Sequence, residues 1–349
     1  MMLSIRNVAA ALTVVAGLGL AAPVGAQQIT GAGATFPAPV YTKWGEAFQQ
    51  AGAVSLNYQA IGSGGGVNQI RNRTVDFGAT DAPVAGDALN QANLVQFPMV
   101  MGGVVLVINV DGVAVNQMKL TNPIVADIFL GKIRNWNDPR IQGLNPDLRL
   151  PNLAIAPAYR ADASGTTFVF TSYLASVSPE WKDSVGAATS VEWKAGTGAR
   201  GNDGVAATVR NTRGGIGYVE SAFATQNRLT TVQLQNRTGN FLSPTLETFQ
   251  AAASSADWDS DPNFAVSLLN QPGPNAWPIV SATFILLPRN PTDATRSANV
   301  MRFFDWAYKS GDKLATGLEY VPMPDSVAER VRVKWRTLVK GPNGQALYN

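Results

Sequence analysis

Two apolar patterns alternate along the chain. Gly102 to Val110 (GGVVLVINV) and Ile279 to Leu287 (IVSATFILL) are continuous β-branched runs, the pattern of strands covered on both faces. Val54 to Ala60 reads as a shorter strand, with Val54, Leu56 and Tyr58 on one face. Other segments carry apolar residues at helical spacing. Val40, Trp44 and Phe48 fall at i, i+4 and i+8 behind Pro39 in a first turn. Val300, Phe303, Phe304 and Ala307 make a second stripe, and Val327, Val331 and Trp335 a third, with Asp325 or Ser326 as its cap. Strands alternating with helices predict α/β architecture.

One apolar stretch fits neither pattern. Val8 to Val24 contains no charged residue, follows a segment whose only charge is Arg6, and ends in the small residues Val24-Gly25-Ala26. This is the layout of an export signal, with cleavage expected between Ala26 and Gln27. An N-terminal anchor is the competing reading, and the glycines, the proline and the cleavage-like end of the stretch argue against it. With no cysteine to carry a lipid, the exported chain is expected free in the periplasm. No later segment is long and apolar enough to cross a bilayer.

Composition narrows the chemistry. A chain of 349 residues predicts one large or two medium domains. Hydrophobic residues at 46% and charged residues at 15% exclude a disordered or low-complexity chain. There is no histidine and no cysteine. Ser-His-Asp and Cys-His catalysis, disulfides, and zinc sites built on imidazole or sulfur are thereby excluded. No cofactor is expected, since neither a G-x-x-x-x-G-K-[ST] loop nor a strand-linked G-x-G-x-x-G with its acidic partner occurs. A net charge of +3, from 27 basic and 24 acidic residues, is too balanced for a nucleic-acid binder.

What remains is three glycine-rich turns, each leading into a helix. They are Gly31-Ala32-Gly33-Ala34-Thr35-Phe36-Pro37, Ile61-Gly62-Ser63-Gly64-Gly65-Gly66, and Arg160-Ala161-Asp162-Ala163-Ser164-Gly165-Thr166-Thr167. Helix N-termini expose unpaired N–H groups and favour an anion, glycine permits close approach, and hydroxyls add directed donors. Taken singly, a Ser or Thr at such a place is an N-cap. Three together, in a chain poor in catalytic groups, point to one shared oxyanion. Arg160 can reach the same anion with a bidentate fork, or pair with Asp162 at the surface. Asp81, ahead of Ala82-Pro83, reads from spacing as a turn residue. The eight tryptophans read as packing residues.

These segments carry a resemblance. GAGATFPAPVYTKW, IGSGGGVNQI, VDFGATDAP, RADASGTTFVFTSYL, GNDGVAA, IGYVE and FFDWAY together resemble the periplasmic phosphate-binding proteins of high-affinity ABC phosphate transporters, in order, from about Ile29 to Tyr348. The resemblance implies the two-lobed periplasmic-binding-protein fold (type II), α/β lobes joined by crossover strands around a ligand cleft. It implies a signal peptide over residues 1–26, lobe 1 over 27–103 plus 283–349, and lobe 2 over 104–282. The crossovers should lie in the two β-branched runs. Phosphate ligands would be Thr35, Phe36, Ser63 and Asp81 from lobe 1, and Arg160, Ser164, Gly165 and Thr166 from lobe 2. Phe36 and Gly165 would act through backbone N–H groups, with Asp162 orienting Arg160. The implied partners are inorganic phosphate and an inner-membrane ABC phosphate permease, and the protein would be a monomer. Three positions depart from the family pattern. Gly64 stands where a second serine is frequent, Thr80 where serine is common, and Ala163 where glycine is common.

If these groups converge, Asp81 becomes the selective element. Phosphate near neutral pH keeps a P–OH that a carboxylate can accept, whereas sulfate has none and meets an unpaired like charge. Two other readings stay open: a binding protein for sulfate or molybdate, and a hydrolase of phosphoesters or acyl groups. For the hydrolase the chain offers only Ser310-Gly311-Asp312-Lys313 as an S-x-x-K match, read as a loop after the FFDWAY helix. A surface adhesion role is more distant still.

Overall fold

A computed structural model describes residues 28–348 apart from Ala53, so the export signal expected over residues 1–26 lies outside the described residues. The chain opens with β1 (Gln28–Gly33), α1 (Ala38–Gln50), β2 (Ser55–Ala60), α2 (Ser63–Arg71), β3 (Phe77–Thr80) and α3 (Gly86–Gln91), followed by β4 (Leu94–Ile108). Next come β5 (Lys119–Leu120), α4 (Asn122–Phe129), α5 (Pro139–Leu144), β6 (Ala156–Arg160), α6 (Gly165–Val177) and α7 (Pro179–Ser184). The middle of the chain continues with β7 (Thr197–Ala199), α8 (Gly201–Asn211), β8 (Gly215–Glu220), α9 (Ser221–Gln226), β9 (Thr230–Thr231), β10 (Gln233–Gln235), β11 (Phe241–Leu242) and α10 (Leu246–Ala253). Last are β12 (Val280–Pro288), α11 (Ala294–Ser310), α12 (Asp312–Thr316), β13 (Val321–Pro322) and α13 (Asp325–Leu338).

The main sheet runs β2-β1-β3-β12-β4-β8-β6-β7, with β13 and β9 also paired to β4. Strand β4 is shared by both halves of this sheet. Its residues Leu94 to Gly103 pair antiparallel with β12, and Val104 to Ile108 pair antiparallel with β8. All 15 of its residues are buried, as predicted for the part from Gly102 onward. The return passage lies beside it, because Val104 N–H donates to Ile279 O at 2.8 Å and Trp277 Nε1 to Val104 O at 2.9 Å. Within each half the other strands are parallel: β2, β1 and β3 in one, β7, β6 and β8 in the other. A separate small sheet runs β11-β10-β5.

Strand β4 begins earlier than the β-branched run suggests. Gln96 and Pro98 break the apolar pattern, yet both sit in the strand. Gln96 is buried because its side chain is satisfied, accepting from Val84 N at 2.7 Å and donating to Asn263 O at 3.0 Å. Pro98 is tolerated at a β-bulge: Thr283 pairs with Val100 and Phe284 with Pro98, leaving Met99 extra.

Two further expectations change. The last helix, α13, has Pro324 at its N-cap and no side-chain cap bond, so neither Asp325 nor Ser326 caps it. Ser310 and Lys313 fall in α11 and α12 rather than a loop. Six of the eight tryptophans are buried, as packing predicts. Trp44 and Trp335 sit with Tyr41, Phe77, Phe97 and Phe304 on one side of the molecule, while Phe129, Phe170, Trp193 and Tyr218 stack on the other. No helix among the described residues is long and apolar enough to cross a membrane.

Candidate functional site

The carboxyl ends of the parallel strands converge on one cleft, the place where open α/β sheets put ligands. From the first half, β1 leads to Thr35 and Phe36, β2 to Ser63, and β3 to Asp81. From the second half, β6 ends on Arg160 and runs through Asp162 and Ser164 into Gly165 and Thr166 of α6. All of these except Asp162 are buried, although four carry hydroxyls and two are charged.

The guanidinium of Arg160 is held as a fork. Its Nε donates to Asp162 Oδ1 at 2.8 Å, Nη2 to Asp162 Oδ2 at 2.5 Å, and Nη1 to Thr166 Oγ1 at 3.3 Å. These contacts occupy three N–H groups and leave others for a ligand. Arg160 is buried and the Asp162 carboxylate largely so, their side chains 1% and 9% exposed, so the surface-pair alternative does not hold. Partial burial opposes ionisation of Asp162, but bonds from Arg160 and from Gly201 N–H hold its carboxyl below the usual range. Tyr218 supports this loop from the core, its hydroxyl accepting Arg160 N–H at 3.2 Å and lying 2.6 Å from Thr167 Oγ1.

Of the three glycine-rich turns, only the third uses its hydroxyl as a cap. Ser164 Oγ accepts Thr167 N–H at 3.1 Å, which leaves its own proton free to donate. Helices α1 and α2 have Pro37 and Gly62 at the N-cap and no side-chain cap bond. Thr35 and Ser63 instead reach across the cleft. Ser63 Oγ accepts Gly165 N–H at 3.0 Å and Asp81 N–H at 3.2 Å. Thr35 Oγ1 accepts from Asn202 Nδ2 at 2.8 Å and from Asn202 N–H at 3.3 Å.

Close approach of the halves depends on missing side chains. Gly62 has φ 93°, and a Cβ there would lie 2.5 Å from Asp162 Oδ2. A Cβ on Gly165 would lie 2.5 Å from Asp81 Oδ2 and closer still to Ser63 Oγ. Gly64 N–H donates to Ala163 O at 2.9 Å, and a Cβ on Gly64 would strike the Ala163 Cβ. Two departures from the family pattern therefore meet across the cleft: one turn gives up a side chain where the other gains a methyl.

Asp81 has the opposite surroundings to Asp162. Its Oδ1 accepts from Thr283 Oγ1 at 2.8 Å, while Oδ2 is buried with no hydrogen-bond partner. Burial pushes the carboxyl up to about 7, against the pull of the Thr283 hydroxyl, the Arg160 charge and the Ser63 hydroxyl. An arginine fork, four hydroxyls, helix-terminal N–H groups and one acceptor oxygen make a set for an oxyanion that itself carries a proton.

Comparison with known proteins places the chain in a family. A model of the PBP superfamily domain matches residues 21–310. The phosphate-binding protein PstS of Pasteurella multocida (strain Pm70) is 47% identical over 323 residues, covering 93% of this chain and 94% of its own. That of Haemophilus influenzae is 47% identical over 315 residues, covering 90% and 94%. The chain belongs to the PstS family of phosphate-binding proteins. A solved human phosphate binding apolipoprotein aligns with a TM-score of 0.74 at 20% identity, covering 92% of this chain and 99% of that one. That likeness shows the two-lobed periplasmic-binding-protein fold expected of a PstS family member.

Several residues of this cleft escape a reading of the sequence. Asn202, one residue into α8, ties Thr35 to Thr166, with Nδ2 at 2.8 and 3.3 Å from their hydroxyls, and its Oδ1 accepts Glu220 N–H at 3.1 Å. The motif GNDGVAA marks the segment without marking the asparagine as a contact. Thr283 sits inside an apolar run that reads as core alone. Tyr320 Oη lies 2.6 Å from Phe36 O and 2.7 Å from Glu220 Oε2. One phenolic proton cannot serve both acceptors, so with Phe36 O accepting it the second contact needs a protonated Glu220. Burial indeed pushes the Glu220 carboxyl well above its ordinary range. A recess of about 300 Å³ lined by Thr35, Ile61, Asp162, Arg200 and Asp203 opens beside the cleft. Among the described residues no group of acidic side chains is placed to hold a metal ion.

Proposed function

We propose that this protein binds inorganic phosphate in the cleft and hands it, without chemical turnover, to an inner-membrane ABC phosphate permease. In this reading the chain works as a monomer in the periplasm after loss of residues 1–26. Lobe 1 comprises residues 27–103 and 283–349, and lobe 2 residues 104–282. The change of β4 partner between Gly103 and Val104 supports the first boundary, and the start of β12 at Val280 lies close to the second.

The observation that carries the reading is Asp81 Oδ2, a buried carboxylate oxygen without a partner, facing Gly165 at the amino end of α6. An unmet acceptor is costly unless a ligand proton meets it. Arg160, the hydroxyls of Thr35, Ser63, Ser164 and Thr166, and the N–H groups of Phe36 and Gly165 bind the remaining oxygens, the Gly165 N–H leaving its bond to Ser63 Oγ to do so. Asp162 holds the Arg160 fork. Sulfate and molybdate lack the proton that Asp81 accepts, which disfavours them. Turnover is disfavoured because no histidine exists, Asp162 is committed to Arg160, and Asp81, the carboxyl beside Ser63, is the acceptor of the ligand's own proton.

Calorimetric titration of protein stripped of bound anion tests this. Phosphate and arsenate should bind, with sulfate weaker by a factor on the order of 10⁴. Equal affinity for sulfate would overturn the phosphate reading. Hydrolysis of a chromogenic phosphoester by pure protein, abolished by one substitution in the cleft, would replace it with an enzyme.

A further inference from the structure

The unpartnered oxygen of Asp81 raises the question of what fixes which oxygen that is. Strands β3 and β12 pair antiparallel, with Phe284 opposite Thr80, so Thr283 and Asp81 are the next facing pair beyond the ladder. The Met99 bulge in β4 falls at the same point, between Thr283 and Phe284. Thr283 is fully buried, and its hydroxyl donates to Asp81 Oδ1 at 2.8 Å. Tying Oδ1 back to β12 leaves Oδ2 as the oxygen against Gly165.

We propose that Thr283 is a specificity-determining residue of the anion site: by donating to Asp81 Oδ1 it keeps the carboxylate in its accepting form and turns Oδ2 toward the cleft. A hydrogen bond donated to a carboxylate favours the ionised state, and only that state both accepts a ligand proton and repels a proton-free anion. The other groups whose charge couples to Asp81 are Arg160 on β6, which helps ionise it, and Tyr41 on α1, Tyr58 on β2, Glu220 on β8 and Tyr320 before β13. Burial keeps the last four predominantly neutral, so the Thr283 hydroxyl supports the charge most, followed by Arg160 and the Ser63 hydroxyl. Thr283 is a positioning residue that need not touch the ligand, and the inference rests on the phosphate reading of the site.

The test is competition calorimetry of phosphate against sulfate on wild type, Thr283→Val, Thr283→Ser and Asp81→Asn, from about pH 6 to about pH 9. Thr283→Val should lower the phosphate-to-sulfate affinity ratio about tenfold near neutrality and move the pH at which the ratio falls upward by about one unit. Thr283→Ser, which keeps the hydroxyl, should restore both. If Thr283→Val does not fold, Thr283→Ala is read in the same way. The inference is overturned if the valine variant keeps the wild-type ratio at every pH, or weakens both anions by one common factor. Failure of the wild type to bind phosphate would sink the underlying reading instead. Lost selectivity in Asp81→Asn with none lost in Thr283→Val would sink only the role of Thr283.

Discussion

Asp81 and Asp162 stand on opposite sides of one cleft, each just past a parallel strand, and behave in opposite ways. Asp162 faces a guanidinium and a backbone N–H, and its carboxyl is held below the usual range. Asp81 takes a hydrogen bond from Thr283 on one oxygen, keeps the other unmatched near the Ser63 hydroxyl, and is raised to about 7. Neighbours, not residue type, assign the two roles. Asp162 is consumed in orienting Arg160 and cannot take a ligand proton, whereas Asp81 is spared for that purpose.

The contrast can be broken from either side. The largest effect is expected at Asp81. Asp81→Asn should narrow phosphate–sulfate discrimination by roughly 10⁴-fold, read by competition titration. In wild type the same discrimination should narrow as the pH falls through about 7, because protonated Asp81 can donate to sulfate and no longer accepts from phosphate. Its raised carboxyl also costs the ligand-free fold stability as pH rises from its unfolded value toward about 7. Asp81→Asn should therefore melt higher than wild type above that pH and show no such gain in acid.

Next comes Arg160. Arg160→Met should weaken phosphate about 10³-fold and, by orphaning Asp162, destabilise the fold by about 3–5 kcal/mol in denaturant melts. The double variant Arg160→Met/Asp162→Leu should regain much of the stability and none of the affinity. Gly165→Ala should cost about ten- to a hundredfold in phosphate affinity, since the methyl would collide with Asp81 Oδ2 and Ser63 Oγ only when the lobes are together. Urea midpoints should move little. The smallest effect is at Asn202. Asn202→Ala removes the amide shared by Thr35 and Thr166 and should weaken phosphate about tenfold, with discrimination against sulfate unchanged.

Much of this site was legible in the sequence because it is local. A hydroxyl or glycine ahead of a helix can be read from a few adjacent residues, so Thr35, Ser63, Ser164, Gly165 and Thr166 stood out together. Asp81 did not: its spacing reads as a turn residue, and only the family resemblance singled it out. Asn202 and Thr283 were invisible because their bonds join residues 167 and 202 positions apart. The same holds for the start of β4, where Gln96 and Pro98 look like breakers until the distant Asn263 and the bulge opposite Phe284 accommodate them. The capping expectation for α13 erred because a proline occupies the N-cap without supplying a bond.

The contact of Gly64 with Ala163 bears on how such proteins can be recombined. The first turn needs its glycine beside this neighbour, since a side chain on Gly64 would occupy the volume of the Ala163 methyl. A relative with a serine at the first place and a glycine at the second holds a similar volume distributed the other way. A first loop with serine at this place, grafted here alone, would create an overlap, so the two loops are better exchanged together.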